Sequence, residues 1–125
     1  MLAGGPVAML AVYFFRTDAG NEPVLDWLRE LPADDRRIIG EDLRTVQIGW
    51  PLGMPLCRSL GDGLYEVRSS ITGNRITRLV FFQQSERLVI VEGFIKKSRV
   101  TPDEVLKLAR RRRSDFLRHE AEKKT

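Results

Sequence analysis

The chain of 125 residues has one cysteine and one histidine, and no apolar run of the roughly 20 residues that cross a bilayer. Cys57, being alone, cannot form an internal disulfide, and it fits a reducing cytoplasm. One cysteine and one histidine leave no zinc site, and neither a metal nor another cofactor is expected. The apolar stretch from Val7 to Phe15 has no basic segment before it and no clear small-residue cleavage site, so it reads as a first strand rather than a secretion signal. Met9 is an alternative start, which would make residues 1–8 a disordered or misassigned extension.

What is present is ordinary for one globular domain spanning residues 1–125: 42% apolar and 30% charged residues. Charge is unevenly placed. Asp18 to Arg44 holds eight acidic and four basic residues, a net of −4, whereas Lys96 to Thr125 holds eleven basic and five acidic, a net of +6. Such asymmetry fits one face made for a polyanion, and equally a solvated basic helix.

Periodicity predicts a strand over Leu10 to Arg16 and a helix from Asn21 or Glu22 to Leu31, ended by Pro32. A second helix runs from Ala33 to about Gly49, with Ile38, Ile39, Leu43 and Val46 as its inner stripe. Trp50 to Cys57 reads as a loop. Three strands follow: Leu64 to Ile71, Arg75 to Gln83 and Arg87 to Ile95, joined by turns at Thr72-Gly73-Asn74 and Gln84-Ser85-Glu86. The runs Leu79 to Phe82 and Leu88 to Val91 hardly alternate, which predicts strands covered on both faces. A last helix opens with Thr101 as its cap, Pro102 at the first position and Glu104 closing a capping box. Its apolar stripe is Val105, Leu108, Ala109 and Phe116. The run Arg110 to Arg113 covers a full turn, so part of it must face solvent or a partner. The expected fold is α+β: an N-terminal strand, a helical hairpin, a three-stranded antiparallel meander and a C-terminal helix.

Alternate residues of a strand share a face. Glu66, Arg68 and Ser70 therefore lie on one face, and Tyr65, Val67 and Ile71 on the other. Arg78 shares a face with Ile76, Val80 and Phe82, where a guanidinium is costly unless an anion meets it. Glu66, Glu92 or a bound phosphate could supply that anion. Of Lys96 and Lys97 at the third strand's end, one points to the same side. Arg58, Arg68, Arg78 and one of these lysines form a candidate cationic cluster. Such a cluster suits phosphodiester cleavage by an RNA's own 2′-hydroxyl, which needs alignment, neutralised charge and moved protons. His119 is the natural proton carrier by chemistry, although it lies in the charged C-terminal helix; Tyr65, Glu66 and a desolvated lysine are the others.

These residues fall into motifs. Leu60 to Arg68, LGDGLYEVR, resembles the L-x-x-GLYELR signature of HigB-like, phage-derived toxins of the RelE/ParE superfamily. Ile76 to Phe81 resembles that family's arginine-bearing strand, and Gly93 to Ala109 its GFxKK…TPxxE ending. The resemblance covers nearly the whole chain. It implies a RelE-like fold and a type II toxin: a ribosome-dependent endonuclease that cuts mRNA, in the cytoplasm, without a cofactor and away from membranes. The implied partner is a helix-turn-helix, HigA-like antitoxin, through which alone the toxin meets DNA. Carried over by position, Arg68, Arg78, Lys96 and Lys97 are the catalytic candidates. Arg58, Arg75 and Arg99 are the RNA-binding ones. Thr77 departs from the family pattern, which places an aromatic there, and a stacking contact is expected to be missing. The alternatives are a ParE-like toxin that inhibits gyrase by binding, and an inactive binding member.

Overall fold

The computed structural model describes residues 9–95 and 100–124. The expected extension at residues 1–8 lies outside them, as do Lys96, Lys97 and Arg99. The elements in chain order are β1 (Ala11–Phe14), α1 (Pro23–Arg29), α2 (Ala33–Gly49), β2 (Cys57–Gly61), β3 (Leu64–Ile71), β4 (Arg75–Gln84), β5 (Arg87–Ile95) and α3 (Asp103–Lys123). No helix among the described residues is long and apolar enough to cross a membrane.

Local chemistry accounts for most boundaries. Pro23 fixes a helical φ at the start of α1, where its missing N–H costs nothing. Asp34 and Asp35 sit in the first turn of α2, at the positive end of its dipole. The β3–β4 turn uses Gly73 and Asn74 at positive φ, a conformation that glycine and asparagine tolerate.

The strands form one mixed sheet in the order β1–β5–β4–β3–β2, with β1 parallel to β5 and the other pairs antiparallel. The meander therefore has four strands, not three. The strand that sequence reasoning missed, β2, has five residues beside a loop rich in proline and glycine. It earns its place by pairing with β3 (Cys57 opposite Val67, Arg58 opposite Glu66) rather than through its own composition.

Each sheet face has its own core. Leu79, Phe81, Leu88 and Ile90 pack with Val24, Leu28, Ile39, Leu43 and Val46 of α1 and α2. Val80, Phe82, Val89 and Val91 pack with Ala109 and Phe116 of α3. The unalternating runs are thus covered on both sides, as expected of central strands. Gly93 permits a close approach: a Cβ there would sit 2.9 Å from both the Trp27 ring of α1 and Leu79.

The capping box at α3 does not form. The helix begins at Asp103, Pro102 occupies the cap position, and no side chain caps it. Thr101 instead donates its hydroxyl to Glu66 on β3, at 2.9 Å. A buried carboxylate outcompetes a helix end that solvent can reach.

Candidate functional site

The registers of three strands bring the charges together. Arg58 of β2 lies opposite Glu66 of β3, and Arg68 of β3 lies opposite Arg78 of β4. Parity places all four on the α3 side of the sheet, in line with Leu64, Val80 and Phe82. Glu66 is fully buried and Arg78 is 2% exposed, while Arg58 and Arg68 are half-buried. Arg78 Nη1 stands 3.9 Å from Glu66 Oε1. Of the two carboxylates that strand geometry offered Arg78, Glu66 is the partner; Glu92 pairs with Arg112 of α3 at 3.5 Å.

Among the described residues, Arg78 is the guanidinium shown within ion-pair distance of the Glu66 carboxylate, at 3.9 Å. At this separation a partly screened pair gains about 4 kcal/mol, against several kcal/mol of desolvation for each ion. The two effects nearly cancel. Burial pushes the pKa of Arg78 down, Glu66 opposes this, and Arg68 and Arg58 lower it further. Two orphaned atoms mark the same spot. Glu66 Oε1 and Arg68 Nε are buried and have no hydrogen-bond partner among the described residues. A guanidinium presents a fork of donors whose geometry matches a carboxylate or a phosphate.

The other sequence candidates lie elsewhere. Arg75 sits three residues from Arg78 and so points to the opposite face. Its Nη2 binds Asp35 Oδ2 at 3.0 Å and its Nε donates to the Thr72 carbonyl. Asp35 also accepts from the Thr72 backbone and hydroxyl, and these bonds, with Arg75, hold its pKa below the usual carboxylate range against the effect of burial. Arg75 thus clamps α2 to the β3–β4 turn, apart from the other candidate arginines. Tyr65 also faces α1 and α2, packed edge-on against Trp50 at 4.8 Å.

His119 is removed from the cluster too. Its Nε2 meets Asp18 Oδ1 at 2.5 Å, beside Arg118. It lies sixteen residues along α3 from Asp103, about 24 Å at helical rise. Thr77 is buried with its hydroxyl on the Ser69 carbonyl. It faces α1 and α2, so an aromatic ring there would not stack against anything held by Arg78.

Most of the arginine run on α3 is structural. Arg112 donates to the Val91 carbonyl at 2.7 Å, where β5 bulges between its pairings with Val80 and Phe81. Arg113 grips Asp62 in the β2–β3 turn at 2.7 Å, with Arg110 at 3.6 Å. Arg111 is exposed. Glu66 could be found from strand parity; Thr101 and Asp62 carried no sequence signal, because their partners are 35 and 51 positions away.

A family model described as "Phage derived protein Gp49-like" matches residues 26–114, over two thirds of the chain. The match takes in Arg58, Glu66, Arg68, Arg78 and Thr101 and stops short of His119. No curated protein matches the chain.

Proposed function

This chain belongs to the phage-derived Gp49-like family, and from that membership and the basic cluster we propose that it is the toxin of a type II toxin–antitoxin pair. Its α+β architecture is compatible with a RelE-like fold. The proposed activity is endonucleolytic cleavage of mRNA on the ribosome, in the cytoplasm, silenced by a helix-turn-helix antitoxin of the HigA type that alone links the pair to DNA. The observation that carries this reading is the grouping of Arg58, Arg68 and Arg78 on one sheet face around a single buried carboxylate.

In the proposed reaction the RNA 2′-oxygen attacks the adjacent phosphorus. The 2′-hydroxyl proton leaves to a base, the O2′–P bond forms, the P–O5′ bond breaks, and the departing oxygen takes up a proton. Arg58 and Arg68 hold the phosphate, and the Arg78 charge stabilises the extra negative charge of the transition state. Lys96 and Lys97 are the proposed proton carriers, with Glu66 as the acceptor nearest the arginines.

The test is growth and RNA 5′-end mapping after induction of the chain alone. Arg58→Ala with Arg68→Ala should restore growth and abolish new 5′ ends, while the variant folds and retains antitoxin binding. These half-buried positions serve better than Arg78, whose loss would strand Glu66. Full toxicity in the double variant rules out the cluster as the active face. One observation favours an inactive binding member instead: among the described residues, no histidine or tyrosine reaches the cluster. Harmless overexpression of folded protein would establish that alternative. Induction of the DNA-damage response with transcripts intact would point to gyrase.

A further inference from the structure

Thr101 is the one side chain outside the strands that donates a described hydrogen bond into the basic cluster. It is 6% exposed, immediately ahead of α3, and its hydroxyl reaches Glu66 Oε2 at 2.9 Å. Glu66 accepts nothing else among the described residues: its other oxygen, Oε1, faces Arg78 at 3.9 Å without a hydrogen bond. The hydroxyl thus fixes the plane of the carboxylate: with one oxygen held on the α3 side, its equivalent is turned to the guanidinium. A carboxylate with one oxygen pinned keeps a narrow range of its terminal torsion, whereas an unpinned one sweeps a broad range.

We propose that Thr101 is a positioning residue for the arginine cluster, acting through Glu66. By holding the carboxylate in one rotamer, it aims Glu66 Oε1 at Arg78. Glu66 thereby adds to what holds Arg78 beside Arg68, its partner in the strand register, where the Arg78 charge faces the phosphate proposed to lie on Arg58 and Arg68. The rationale is geometric: preorganised groups stabilise a transition state only if they do not have to reorient as it forms. Thr101 is given no contact with the RNA in this scheme and acts only through Glu66. The inference rests on the proposed nuclease reading for its rate consequence, but its effect on the arginines is independent of cleavage.

Threonine offers a clean separation of a packing role from a hydrogen-bonding one. Thr101→Val keeps the shape and removes the hydroxyl; Thr101→Ser keeps the hydroxyl and removes the methyl. A positioning role predicts that Val lowers kcat for RNA cleavage by about tenfold to a hundredfold with KM changed far less, and that Ser stays within about threefold of the parent. The Arg78 Nε–H resonance in a nitrogen-edited NMR spectrum should move in the Val variant and stay in place in the Ser variant. The reverse pattern, Val tolerated and Ser harmful, would mean that Thr101 merely fills space, and two variants indistinguishable from the parent would overturn the proposal. If Val fails to fold by thermal melting, Thr101→Ala is read in its place by the same two measurements. If the parent binds single-stranded RNA without cleaving it, the nuclease reading falls. The Arg78 resonance and the affinity for an RNA oligonucleotide across the three proteins then decide Thr101 by themselves.

Discussion

On the α1–α2 side of the sheet, Leu79, Phe81, Leu88 and Ile90 meet a continuous apolar layer that includes Trp27, seated on the bare backbone of Gly93. On the α3 side, alternate residues of the same strands are apolar only halfway. Phe82 and Val80 lie under Phe116 and Ala109, and then the row turns to Arg78, Glu66, Arg68 and Arg58. Strands that share every backbone hydrogen bond thus carry two kinds of interior. One is closed by packing, where shape decides the energy. The other ends in charges whose attraction is offset by their desolvation. The difference teaches where shape sets the energy and where charge does: the second face carries three arginines and the buried Glu66 side by side.

The comparison is broken most severely at Arg78. Arg78→Ala removes from buried Glu66 the guanidinium that stands 3.9 Å away, and should lower unfolding free energy by about 3–5 kcal/mol in urea titrations. Adding Glu66→Gln should return part of that loss; a single-variant cost under about 1 kcal/mol would mean that the pair is solvated after all. On the packed side, Gly93→Ala drives a methyl into Trp27 and Leu79. It should cost about 1–3 kcal/mol, and less in a Trp27→Leu background, where the space is vacated. A cost unchanged by Trp27→Leu would place the strain elsewhere.

The smallest effect concerns the clamp on the packed side. Asp35 has a folded pKa below its unfolded value, so its contribution is complete above the ordinary carboxylate pKa and is lost as pH falls through the lowered one. The melting temperatures of the parent and Asp35→Asn should therefore differ most at neutral pH and converge as pH drops below about 4. A constant gap down to strong acid would show that the clamp acts through hydrogen bonds that survive protonation.

These two sides were not equally legible in the sequence. The bounds of α2, β3 and β5 follow from helical periodicity, from runs of β-branched and aromatic residues and from polar turns, because such signals are local. Strand parity alone separates Arg68 and Arg78 from Tyr65 and Arg75. Arg75, three residues along the strand from Arg78, lies on the other face, with Asp35. What escaped the sequence was tertiary. The strand β2 exists because β3 is there to pair with it. Thr101 has a good local use as a helix cap, and Glu66 diverts it from far along the chain. His119 looked suitable by chemistry, and only the length of α3 shows how far it stands from the cluster.

The parallel pairing of β1 with β5 has a consequence for the order of events during synthesis. Ala11 pairs with Arg87, 76 positions later, so β1 leaves the ribosome long before its neighbour exists. The strands β2 to β5 are joined by short turns and can pair as each emerges, whereas β1 must close a long loop at greater entropic cost. A chain interrupted before Arg87 therefore carries an N-terminal strand with no partner strand and a sheet with neither β5 nor α3. An incomplete copy is left without the element that brings Thr101 to Glu66.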